Sequence, residues 1–241
     1  MLLALAAVLP PVGVATASTR PNIVFVLVDD ADAALLEEMP NISSLIVDQG
    51  IRFERFYATQ AQCCPSRSTL FTGEFVHNHN VRSNNKSEGG YARFLKEGHE
   101  ERTVARELQQ HSYRTGLFGK YLNHYGPRTG SARHVPPFWD RWFAPFNQSK
   151  YDYKVNDRGH VRTFGDRRRD YSTNAIGHIS QKWITQNVGR PEPLFAYISY
   201  LAPHSPYVDP PGHRNDYKGA SSPAITKDSF GEADVTDKPE H

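Results

Sequence analysis

The chain's two cysteines, Cys63 and Cys64, stand side by side in the stretch AQCCPSRSTLFTG and are followed at once by Pro65, Ser66 and Arg67. Adjacent cysteines rarely bond each other, because the ring they would close is badly strained. A disulfide framework is therefore excluded, and the pair is a structural accident, a metal-binding thiol, a nucleophile, or a cysteine that is to become something else. Asp29 and Asp30 follow a continuous apolar run. Adjacent carboxylates there can hold a hard cation through oxygen, or serve as a helix cap with a neighbouring acid. Lys120 in FGKYLNHYG and His204 in APHSPY complete the set. Alone, the lysine reads as a surface residue and the histidine as a loop residue.

The elements around these residues decide whether they can meet. NIVFVLV, ending at Asp29, reads as a strand buried on both faces. Pro40 opens a short helix closed by Gly50, and IRFERFYA reads as a further strand. Ser66–Phe71 reads as a helix ending at Gly73, and residues 77–100 as a long polar surface loop. Thr103 caps a helix over TVARELQQH, and YRTGLFG is a strand leading directly to Lys120. Residues 125–170 show no clear period and read as irregular, with Arg167-Arg168-Arg169 as a solvated run. From Ser172, Ala175, Ile176, Ile179, Trp183 and Ile184 keep helical spacing, and LFAYISY is a buried strand running towards His204. Strands alternating with helices predict an α/β fold, a mostly parallel sheet with helices on both faces. Ligands bind beyond the carboxyl ends of such strands. Asp29, Asp30, Lys120 and His204 all fall there.

Composition bounds the function. With 38% hydrophobic and 12% aromatic residues, the 241-residue chain can build a substantial core. A formal charge of only +2 argues against a dedicated nucleic-acid binder. The start, MLLALAAVLPPVGVATAS, reads as a secretory leader over residues 1–17, too short and proline-broken to span a bilayer. The protein is therefore expected outside the cytoplasm, with no stable membrane insertion.

Cys63-Cys64-Pro65-Ser66-Arg67 fits C-x-P-S-R, and the chain resembles the formylglycine-dependent sulfatases. RPNIVFVLVDD, MPNISSLIVDQGIRFERFYA, TGEFVHNHNV, GKYLNHYG and APHSPY continue that resemblance in order, in particular to the N-acetylglucosamine-6-sulfatase branch. Gln62, Ser112 and Phe118 are small departures from the pattern. The resemblance implies an alkaline-phosphatase-like fold and a sulfuric ester hydrolase acting on a sulfated small molecule or glycan. Cys63 would be oxidised to formylglycine by a formylglycine-generating enzyme. Its hydrate would attack sulfur with one hydroxyl and expel sulfate through the other.

Site roles follow from the same resemblance. Asp29, Asp30 and the modified Cys63 would bind a divalent cation, Ca²⁺, while Arg67 would orient the diol. Lys120 would hold a sulfate oxygen, and His204 would protonate the leaving alcohol. Asn123 stands where related enzymes often carry a histidine, with His124 adjacent; His77 and His79 read as pocket-lining or structural. Residues 18–241 would form the N-terminal part of the catalytic domain. The downstream Asp-Asn pair of the metal site and the C-terminal part are not in the sequence, so the chain itself is expected to be weakly active or inactive. The competing readings are a formylglycine-dependent phosphonate or phosphodiester hydrolase, and an inactive glycan-binding relic.

Overall fold

A computed structural model describes residues 20–32, 35–36, 38–85, 87–216, 218–219, 231–234 and 236. The leader expected at residues 1–17 and most of the polar tail lie outside the described residues. The apolar run after Asn22 forms β1 (Ile23–Asp29). Pro40 begins α1 (Pro40–Ile42), which widens into a π turn over Ser43–Val47. The cysteine motif itself opens α2 (Cys63–Thr72), which stops where Gly73 takes the left-handed conformation at φ 72°. There follow α3 (Val76–His79), α4 (Gly90–Lys96), α5 (Val104–Gln110), β2 (Arg114–Gly119), β3 (Arg141–Pro145), β4 (Tyr153–Asp157) and β5 (His160–Phe164). The last pair is α6 (Ser172–Asn187) and β6 (Leu194–Pro203).

The six strands form one sheet in the order β1-β6-β2-β3-β4-β5. The first four run parallel, and β4 pairs antiparallel with both β3 and β5, so the sheet is mixed. Both faces of its centre are covered, as the alternation along the strands dictates. Leu117, Phe195 and Tyr197 pack with Phe71, Phe94 and Ala105 from α2, α4 and α5. Their neighbours Phe118, Ala196 and Ile198 pack on the opposite face with Ala175, Ile176 and Trp183 of α6.

Several readings are corrected by packing. β1 is an edge strand whose Val24 and Val26 stay half exposed, because among the described residues nothing covers that face. Residues 51–58 form no strand: they join no strand ladder among the described residues, and Ile51, Phe53, Phe56 and Tyr57 stay exposed. The polar stretch 77–100 contains α4, whose Tyr91 and Phe94 are core residues. Residues 125–170 hold three strands too short for a period. The turn of the β4–β5 hairpin, Arg158-Gly159, has φ of 53° and 82°, both positive as a type I′ turn requires. Thr103 does cap α5 by position, although its hydroxyl makes no capping bond.

Candidate active site

Strand order brings the chemistry together. β1, β6 and β2 are parallel neighbours, so their carboxyl ends share one edge. Asp29 ends β1, Lys120 follows β2, and His204 follows β6. Gly119 lets β2 approach β6 there: at φ 107°, a Cβ would sit 1.8 Å from the carbonyl oxygen of Ser199. The Lys120 amide then donates to that same carbonyl at 2.9 Å. The start of α2 covers this edge. Its Cys63 and Arg67, four residues apart, project from one helix face.

Asp29 is the hub. Its Oδ1 accepts from Arg67 Nη2 at 3.0 Å, and its Oδ2 from Lys120 Nζ at 2.5 Å. All three side chains are at most 5% exposed. The Lys120 ammonium also lies 3.1 Å from Cys63 Sγ, which is 3.8 Å from Asp29 Oδ1. Arg67 is spread over three acceptors, since Nη1 donates to the Lys120 carbonyl at 2.9 Å and to Ser199 Oγ at 2.7 Å. Burial pushes the Asp29 pKa up, but the Arg67 and Lys120 charges outweigh it and hold the carboxyl below its ordinary value. One carboxylate therefore faces two buried cations, and the surplus positive charge suits an anionic group beside Cys63.

The two cysteines are not equivalent. Cys63 is partly exposed to the site. Cys64 is fully buried, and burial pushes its thiol up to about 12 although the Asn123 amide donates to its sulfur at 3.1 Å. Cys64 is thus a packed, neutral thiol. Its own amide, at the start of α2, donates to Asn84 Oδ1 at 2.8 Å.

Asp30 takes a left-handed conformation at φ 62°, and its exposed carboxylate comes 3.6 Å from His204 Nε2. The His204 amide donates to the Asp29 carbonyl at 3.0 Å. Among the described residues, Asp29, Cys63 and His204 bring one ligand atom each within 4.8 Å of one another. Asp29 Oδ1 is shared between Arg67 and the Cys63 thiol, and Oδ2 takes Lys120. Asp30, read as a ligand beside Asp29 and Cys63, does not join this group: its exposed carboxylate turns to His204, which takes its place in the cluster. The soft thiol mismatches the carboxylate, whereas an oxygen at position 63 would join Asp29 as a hard donor, the chemistry that suits Ca²⁺.

Beside Lys120 a cavity of about 280 Å³ is lined by Asn123, His124, Arg128, Asn147 and Gln148. Asn123 and His124 therefore both face it, and the buried Asn123 Oδ1 has no hydrogen-bond partner among the described residues. The other histidines do not join the site. His79 is buried between Thr69 Oγ1 and the Val81 amide, and His77 is exposed and stacks on Phe75.

Two supporting residues escaped the sequence reading. Ser199 receives Arg67 from within a strand. Lys150, only 2% exposed, donates to the carbonyls of Gln148, Leu201 and His204 at 3.1, 3.1 and 2.7 Å. Burial lowers its pKa. A lysine between two aromatic-rich turns carries no signal of this; only the unpaired carbonyls at the end of β6 explain it.

Comparison with known proteins bears on the family and the fold. The Sulfatase family model matches residues 21–236. The N-acetylglucosamine-6-sulfatase of Capra hircus is 35% identical over 88% of this chain and 39% of that protein. The extracellular sulfatase SULF-1 homologue of Drosophila melanogaster is 37% identical over 78% of this chain and 17% of that protein. A solved structure holding its substrate D-glucosamine-2-N,6-O-disulfate superposes with a TM-score of 0.64 at 25% identity, covering 85% of this chain and 39% of that one. The chain thus spans well under half the length of these relatives. With a Cys-x-Pro-Ser-Arg helix start seated on the carboxyl edge of a mixed sheet, and a family match over nearly its whole length, the chain belongs to the sulfatase family.

Proposed function

We propose that this chain carries the reaction centre of a sulfuric ester hydrolase that cleaves sulfate esters of sugars outside the cytoplasm. The observation that supports it most is the placement of Cys63, at the start of α2, 3.1 Å from Lys120 Nζ and 3.8 Å from Asp29 Oδ1. Formylglycine at position 63, in its hydrated form, supplies one hydroxyl to attack sulfur and a second whose deprotonation re-forms the aldehyde and releases sulfate. A divalent cation held by Asp29 and that oxygen would offset the negative charge of the sulfate.

The chain's own groups do the rest. Lys120 binds a sulfate oxygen, and Arg67 orients the nucleophile while compensating Asp29. As the bond from sulfur to the bridging oxygen breaks, protonated His204 gives its proton to the departing alkoxide. The attacking hydroxyl gives up its proton to solvent as it adds to sulfur. The neutral imidazole then accepts the proton of the second hydroxyl, so His204 ends protonated as it began and each turnover releases one proton with the sulfate. Asn123 and His124 face the cavity that receives the alcohol. Relatives named as N-acetylglucosamine-6-sulfatase and extracellular sulfatase support the sugar substrate and the exported setting.

The test is turnover of glucosamine 6-sulfate by a full-length version of the protein made together with a formylglycine-generating enzyme, because this chain spans well under half the length of its relatives. We expect sulfate release that falls about a hundredfold or more in Lys120→Ala and His204→Ala. Faster hydrolysis of a phenylphosphonate ester than of the sulfate would instead assign the site to phosphonate or phosphodiester chemistry. Tight glycan binding without hydrolysis would make it a binding relic.

A further inference from the structure

We propose that the groove between α6 and strands β3–β5 is a second, non-catalytic site that binds a sulfated oligosaccharide along its length; the choice of glycan rests on the substrate class proposed above. The groove measures about 1190 Å³. Its walls carry Arg141, Arg158, Arg162, Arg168, Arg169 and Lys182 against two carboxylates, Asp157 and Asp170. That surplus exceeds the formal +2 of the whole chain, so positive charge is concentrated here.

The carboxylates do not neutralise it. Asp157 alone is shared by Arg141 at 2.6 Å, Arg162 at 2.5 Å and Arg158 at 3.6 Å. Arg168, Arg169 and Lys182 form no ion pair among the described residues and are exposed. A solvated basic face would need no floor, but this one has a floor: Phe164, Ile179 and Trp183 line the groove. Cationic walls over an apolar base suit a chain of pyranose rings bearing sulfates, because guanidinium forks bind such oxyanions bidentately. Phe164 and Trp183 are only 9% and 8% exposed. Phe164 stacks on Tyr153 and lies under Arg162, and Trp183 packs on Phe118, so neither is an open platform of the kind that holds single-stranded nucleic acid.

Direction links the groove to the reaction centre. Lining residues run from Asn174 to Gln186 of α6, about 18 Å at 1.5 Å per residue. The amino end of α6 lies at the catalytic edge: the Ser172 amide donates to the Lys150 carbonyl, and Lys150 binds the His204 carbonyl. A glycan presenting one sulfate near His204 could therefore extend past Arg168 and Arg169 along the helix.

The decisive experiment compares wild type with Arg168→Gln/Arg169→Gln/Lys182→Gln, all exposed positions, by fluorescence polarisation of a labelled heparin octasaccharide at several salt concentrations. The variant is expected to bind at least tenfold more weakly, with a log–log salt slope smaller by roughly two to three. Its turnover of glucosamine 6-sulfate should match wild type. Equal affinity of variant and wild type would overturn the proposal, as would equal wild-type affinity for the desulfated octasaccharide or for an oligothymidylate of the same charge. If the full-length protein made with a formylglycine-generating enzyme turns over no sulfate ester yet the charge-dependent binding holds, the reaction assigned above fails while the groove stands.

Discussion

Lys120 holds Cys63 and Asp29 at once: its ammonium lies 3.1 Å from Sγ and 2.5 Å from Oδ2, buried beneath the start of α2. The cysteine thus meets a cation whose position is set by a buried carboxylate, whereas the Cys64 sulfur, one residue on, accepts from the Asn123 amide.

That difference predicts which cysteine is modified. Peptide mass spectrometry of protein made with a generating enzyme should find the sulfur of residue 63 replaced by a carbonyl oxygen. In unmodified native protein at pH 8, iodoacetamide should label Cys63 and spare Cys64, whose thiol is fully buried and pushed up to about 12. Labelling of Cys64 first would reverse the assignment.

Arg67→Met should cost about 3–5 kcal/mol in chemical denaturation, because Asp29 and Ser199 lose a buried partner. Lys120→Met should cost less, since Arg67 still pairs with Asp29. Equal, small losses in both variants would show that Arg67 does not anchor the edge.

Lys150→Met leaves the Leu201 and His204 carbonyls without their donor. We expect about 2 kcal/mol of lost stability. Because His204 shifts with its backbone, kcat should drop tenfold or more while KM changes little. A stability loss with unchanged kcat would make Lys150 purely structural.

His79 carries a pH signature. Burial, then the neighbouring His99, lowers its pKa below the ordinary 6.5. The unfolded chain therefore takes up this proton first as pH falls. The contribution of neutral His79 is present above pH 6.5 and is lost as pH drops through the folded value. Tm should decline between pH 7 and 5, and His79→Gln should flatten that decline; an equally steep decline in the variant would assign it to other groups.

Much of the site was legible in the linear order of residues. β1, β2 and β6 announce themselves by apolar runs ending at Asp29, Lys120 and His204, and parallel strands carry such residues to one edge whatever the loops do. The Cys-x-Pro-Ser-Arg spacing likewise places Cys63 and Arg67 on one helix face. Tertiary structure alone decided the rest, because it turns on partners distant in sequence. Val24 and Val26 read as core but face outward, since an edge strand is covered only by what packs on it. IRFERFYA has strand alternation yet forms none, because a strand exists only when another pairs with it. Lys150, Ser199 and the groove along α6 have no local pattern at all. Their roles arise where the carbonyls at the end of β6, the Arg67 guanidinium and the Arg158-Gly159 hairpin arrive from separate parts of the chain.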